Sequence, residues 1–269
     1  YPSYKRPVTL TKYGKITLSI GTYINGRQNP GTITYIDDIR GAKNSNPFKV
    51  FSGNASLTTQ EEVNEFGINS YSKISGALKI GSDSFSSNIN DLTPLNSIYE
   101  VVSLEIINND NLINLNGLEN LRNIKATSLF GNGSTIIKNN KNLESISSLS
   151  NLTNYYVGLG TPGFIIDNND ALESLEGLQN IYKITSLELR DNDALIELTN
   201  LNNVNFTGNI IIDNNKNLKT INNLHIGANF FTISNNESLT SFSNVFGSAP
   251  RGVFIDNNVG LAHTRLSII

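Results

Sequence analysis

The sequence predicts a β-solenoid, a stack of coils that each contribute one short strand to a parallel sheet. Three observations predict it. One phrase recurs seven times, it returns every 21 to 31 residues, and the apolar residues after each copy continue in steps of three. A fixed period of this length marks supersecondary units that bury their apolar faces only by stacking.

The phrase is an apolar pair, two further residues, an Asn, and a Leu three residues later. It reads LEIINNDNL (104–112), TIIKNNKNL (135–143), FIIDNNDAL (164–172), LELRDNDAL (187–195), IIIDNNKNL (210–218), FTISNNESL (231–239) and VFIDNNVGL (253–261). The second polar position is always Asn: Asn109, Asn140, Asn169, Asn192, Asn215, Asn236 and Asn258. At a corner of the coil, a side-chain amide can bond backbone groups that the bend leaves unpaired, so this column is expected to be structural. The return path follows in threes, as in Leu112, Leu115, Leu118 and Leu121, or Leu172, Leu175, Leu178 and Ile181.

A less regular coil precedes these, with Ala77–Ile80 as its strand and Ile89, Leu92, Leu95 and Ile98 as its return. Before it, Thr58 with Glu61, or Thr59 with Glu62, has the spacing of a helix capping box. Val63 and Phe66 share one helical face, and Gly67 is placed to end the helix. A short helix here would cap the open end of the first coil.

The phrases LTTQEEVNEFG and ISGALKIG, followed by repeated NNxxLxxLxGLxNL, resemble the receptor L-domain branch of the leucine-rich-repeat family. The likeness is closer to its Cys-free versions in bacterial surface and secreted proteins, and covers about 51–269. It implies a right-handed, mostly β solenoid that recognises partners and carries no catalytic residues. Residues 1–50 do not follow the repeat. Val8–Leu10, Lys15–Ile20 and Thr32–Ile36 read as strands between turn residues, so a small β-rich extension is expected there.

Composition narrows the function classes. With 20 basic and 23 acidic residues and no basic run, neither nucleic acid nor an anionic membrane surface is an expected partner. The absence of Cys removes disulfides, thiolate nucleophiles and Cys-ligated zinc. No apolar run approaches the ~20 residues of a membrane-spanning helix. The chain begins at Tyr1 and holds no Met, as expected of a processed or trimmed chain, so any secretion signal or lipid anchor would have been lost upstream. The resemblance implies a secreted or cell-surface location.

Stacking at ~4.8 Å turns each strand position into a column, and two columns should face outward. One holds Glu105, Ile136, Ile165, Glu188, Ile211, Thr232 and Phe254; the other Ile107, Lys138, Asp167, Arg190, Asp213, Ser234 and Asp256. Ile136, Ile165, Ile211 and Phe254 suggest a docking face, although β-branched residues also simply favour strands. Lys138, Asp167, Arg190 and Asp213 alternate in sign, as in a cross-strand ion ladder. The same four also fit a carbohydrate-active solenoid enzyme, with two carboxylates roughly 9–10 Å apart. Against that reading, an Arg between them would favour both ionised forms, whereas a general acid needs one protonated.

Two repeats are long, with the extra residues around 122–135 and 153–163, and these neighbouring loops carry Phe130, Tyr155 and Tyr156. Such paired loops suit a protein or sugar ligand, or the aromatics turn inward as core. No cofactor or metal is expected. The Asp near the corners occupy different positions in each coil, whereas calcium needs six to eight converging oxygens. Gly158–Gly163 spells G-x-G-x-x-G, but it precedes a strand and lacks the helix N-terminus that would bind phosphate. His225 and His263 have no triad-type neighbours in sequence. The five N-x-S/T sequons fall at the frequency chance gives in so Asn-rich a chain. The expected function is a non-catalytic extracellular recognition or adhesion module for a protein or glycan. An enzyme and a structural spacer in a larger surface protein are the alternatives.

Overall fold

In a computed structural model the chain forms a parallel-strand β-solenoid of about eight turns, with one helix near the N-terminal region. The structure describes residues 22–24, 27–29, 49–125, 134–156, 163–227, 230–243, 245 and 251–261. The chain divides into two compact units, Tyr1–Pro47 and Phe48–Ile269. In the first, Thr22–Ile24 and Arg27–Asn29 form an antiparallel hairpin. The strands expected at Val8–Leu10, Lys15–Ile20 and Thr32–Ile36 lie outside the described residues.

In the second unit, one strand from each coil joins a nine-stranded parallel sheet. In chain order the strands are Ala55–Leu57, Ala77–Gly81, Ser103–Ile107, Thr135–Lys138, Phe164–Asp167, Leu187–Arg190, Ile210–Asp213, Phe230–Ser234 and Gly252–Asp256. Their register matches the repeat: Ile136 pairs with Glu105 and Ile165, Glu188 with Ile165 and Ile211, and Thr232 with Ile211 and Phe254. Leu104, Ile106, Ile137, Phe164, Ile166, Leu187, Leu189, Ile210 and Ile212 point inward and are fully buried. The three-step leucines meet them from the return side, and Leu112, Leu115, Leu118, Leu121, Leu172, Leu175, Leu178 and Ile181 are all buried. Smaller parallel sheets line that side, one of five strands and one of three.

The recurring Asn forms a continuous ladder. The backbone N–H of Asn140 donates to Asn169 Oδ1 at 3.1 Å, that of Asn169 to Asn192 Oδ1 at 3.2 Å, and that of Asn192 to Asn215 Oδ1 at 3.1 Å. From Asn109 to Asn236 each Nδ2 also donates to the following Asn Oδ1 and to a strand carbonyl of the preceding coil, as from Asn192 to Ile166 O at 3.0 Å. The ladder runs from Asn109 to Asn258, and Ser87 Oγ donates to Asn109 Oδ1 at its N-terminal end. Buried amides this well satisfied fix the height of each coil on the next.

The residue before each ladder Asn lies in the left-handed region, with φ of 52° to 57° at Asn108, Asn139, Asn168, Asp191, Asn214, Asn235 and Asn257. Asn and Asp tolerate this conformation best among residues with a Cβ, which explains why both positions of the NN pair are restricted.

The helix spans Gln60–Ile68 and starts with the Thr59–Glu62 capping box rather than the Thr58–Glu61 one. Glu62 accepts from Thr58 N and Thr58 Oγ1, which holds its carboxyl below the usual range. Gly67 does not end the helix: it lies inside it, where a Cβ would meet Pro94 Cβ at 2.4 Å, and Asn69 forms the C-cap. Close packing on the return path of the next coil requires the glycine.

Replacing Asn192 by Ala removes a bonded amide in mid-ladder and takes a partner from the Asn169 N–H and the Ile166 carbonyl of the preceding coil. The expected loss is about 2–4 kcal/mol, read as a lower denaturant midpoint by circular dichroism. Asn168→Gly, at the adjacent left-handed position, should cost far less.

The outward face of the nine-stranded sheet as candidate recognition surface

Alternation along each strand places the expected columns together on the outer face of the long sheet. Ile136, Ile165 and Ile211 are half-buried, and Phe254 is 56% exposed. Glu188 separates Ile165 from Ile211, and Thr232 separates Ile211 from Phe254, so the apolar row is interrupted. Phe230 adds a ring that the sequence reading did not single out. It is 42% exposed, with its centroid 6.3 Å from that of Phe254. Gly252 lies between them, where a Cβ would come within 3.0 Å of the Phe254 ring.

In the charged column the expected continuous ladder resolves into two pairs. Lys138 Nζ lies 2.5 Å from Asp167 Oδ2, and Arg190 Nη1 lies 3.2 Å from Asp213 Oδ2. Arg190 Nε turns to Glu188 Oε2 at 3.5 Å. Asp167 and Arg190 are register partners on neighbouring strands, yet no ion pair joins them among the described residues. Asp213 Oδ1 accepts from Ser234 Oγ at 2.6 Å and from Asn235 Nδ2 at 2.8 Å. Ile107 is buried, so the polar part of the column begins at Lys138. On the smaller five-stranded sheet, Glu100 takes Lys73 at 2.6 Å and Lys125 at 3.6 Å, and its hydrogen bond raises the Lys73 ammonium above its ordinary value.

Of the loop aromatics, Phe130 lies outside the described residues. Tyr155 turns inward: it is buried, its ring lies 4.8 Å from that of Phe164, and desolvation raises its phenol above the ordinary range. Its strand parity puts it in one inward column with Ile124, Val101 and Ile74, which makes it part of the core and removes it from the exposed surface. Tyr156, next along the strand, pairs in register with Lys125.

Among the described residues, no group of three or more His, Cys, Asp or Glu side chains is placed to hold a metal ion. The corner aspartates have dispersed partners, Asp193 on Lys216 at 2.7 Å and Asp110 on Ser86 at 2.9 Å. His225 is exposed on a return-side strand, and His263 lies outside the described residues. Asn236, the first residue of one sequon, is fully buried in the ladder, and Asn151 donates to Glu119 O at 2.7 Å. No helix among the described residues is long and apolar enough to cross a membrane.

Parallel coils, inward leucines in threes and an asparagine ladder define a leucine-rich-repeat-like solenoid. Within it, residues 72–180 match the family model of the receptor L domain, whose members are non-catalytic, ligand-binding domains typically found outside cells. No curated protein and no solved structure matches the chain.

The Lys138–Asp167 pair bridges two coils at the surface, so a double-mutant cycle with Ala at both positions should give a coupling of about 0.2–1 kcal/mol. That coupling should shrink as salt is raised from ~50 mM to ~500 mM, and urea titrations of the four proteins provide the measurement.

Proposed function

We propose that the chain is an extracellular recognition module that binds a protein ligand on the outward face of its nine-stranded sheet. The observation that carries this reading is the in-register row Ile136, Ile165, Ile211 and Phe254 beside the ion-paired column Lys138, Asp167, Arg190 and Asp213. Half-exposed aliphatic side chains offer area to a partner, and charges held by their neighbours offer fixed complementarity. The rigid sheet preorganises both, which lowers the entropy cost of docking. The receptor L-domain match over residues 72–180 supports ligand binding and an extracellular setting. In this reading 51–269 is the recognition domain and 1–50 a separate β-rich extension.

The enzyme reading gains nothing from the geometry. Asp167 and Asp213 each accept from a cation or from amide and hydroxyl donors, unlike the apolar, unpaired setting of a general acid. A glycan ligand is the second reading, favoured by the exposed Phe230–Phe254 ring pair with its flanking Asp256 and Thr232.

The test is a binding screen of the purified chain against extracellular proteins and a glycan array, beside an Ile165→Lys/Ile211→Lys variant and a Tyr156→Ala variant. A protein ligand held by the parent and weakened at least about tenfold in the folded double-lysine variant is the expected result. Equal binding by parent and double-lysine variant would move the site off this face, and loss only on Tyr156→Ala would move it to the loops. Capture of glycans alone would favour the second reading.

A further inference from the structure

The charged column is self-complementary. Read along the stack it runs plus, minus, plus, minus at Lys138, Asp167, Arg190 and Asp213, and in reverse every sign is opposed. We propose that the outward face also pairs with a second copy of itself, as an isologous two-fold dimer. The axis runs parallel to the strands, midway between Phe164–Asp167 and Leu187–Arg190. A two-fold along the strand direction reverses the order of the coils and keeps each column on its own column.

In that arrangement Asp167 faces Arg190 of the second copy and Lys138 faces its Asp213, each contact occurring twice. In the apolar column Ile136 faces Ile211 of the second copy. Ile165 faces the methylene stem of its Glu188, whose carboxylate already turns to Arg190 at 3.5 Å. Aligned sheets pack face to face about 10 Å apart, a distance that side chains of this length span.

The ion pairs within one chain point to this axis over its neighbours. Lys138 with Asp167 and Arg190 with Asp213 are already satisfied, while the central step between Asp167 and Arg190 is bridged by no ion pair among the described residues. The two-fold adds an ion pair between the copies at that step. A face four residues deep supports a weak interface, in the class that buries under about 1,200 Å². The ligand and the second copy would compete for one surface, a consequence that rests on the recognition reading; the pairing itself does not.

The test is sedimentation over a concentration series at ~50 mM and ~500 mM salt, with folding checked by circular dichroism. The parent should self-associate reversibly and more weakly at high salt. Asp167→Arg alone and Arg190→Asp alone should each associate at least about tenfold more weakly, because like charges then meet at the axis. Mixed one to one, the two variants should form a heterodimer: one face presents two arginines and the other two aspartates. A parent that stays monomeric at every concentration overturns the proposal, as does a dimer indifferent to both reversals. Failure of the mixture to recover, or recovery by Arg190→Asp with Asp213→Arg instead, overturns this axis. Ligand binding plays no part in the readout, so its outcome and that of the recognition proposal remain separate.

Discussion

The constraint on which the rest of the structure depends is the asparagine ladder. A solenoid coil has no long-range contacts of its own, so its fold is decided by how it locks to the coil before and after it. Seven buried asparagines perform that locking: from Asn109 to Asn236 each amide donates to the next amide, from Asn140 to Asn258 each accepts from the preceding coil's backbone N–H, and all seven donate to a preceding strand's carbonyl. Asn is suited to the position because one short side chain carries both donors and an acceptor. Asp would lack the donors, and Gln is one methylene too long for the corner.

Register on the ladder has a functional corollary. Once adjacent corners are joined, strand positions stand in columns without slippage, and parity alone decides which side chains meet solvent. The outward row of Ile and the paired charges thereby become one surface assembled from residues as far apart in sequence as Ile136 and Asp213. Length differences between repeats leave the strands of this face in register, because the extra residues of the two long repeats lie in sequence between the return path and the next strand.

Most of the framework was legible in the sequence because it repeats. Periodicity placed the Asn column, the leucines in threes and the outward columns, and the sheet register agrees at each coil, with the buried Ile107 the exception in the charged column. Single-position details were not. The capping box lay one residue later than one of its two spacings allowed, and Gly67 proved to be a packing residue, since only the contact with Pro94 distinguishes it from a helix stop. The charged column could be read for its sign but not for its pairing, because Arg190 reaches either neighbour and its hydrogen bonds decide. Tyr155 could have been placed inward by its parity with Ile124, a signal that the short return strand made faint. Phe230 escaped because it precedes the recurring phrase, and it became visible only beside Phe254. The left-handed column was present in every repeat, as Asn in six and Asp191 in one, but a positive φ leaves no direct mark in the sequence.

The measurement that tests the account most directly is the register of the outward columns, since both proposed uses of the face depend on it. The chain contains no Cys, so introduced pairs report without interference. Ile136→Cys with Ile165→Cys places two thiols on directly paired residues of adjacent strands, at ~4.8 Å spacing, within disulfide reach. Ile136→Cys with Glu188→Cys places them two strands apart, at roughly 9–10 Å, beyond that reach. Under mild oxidation of the folded protein the first pair should close to completion and the second stay reduced. Closure of the second pair in preference to the first would contradict the ladder-set register, and with it the face.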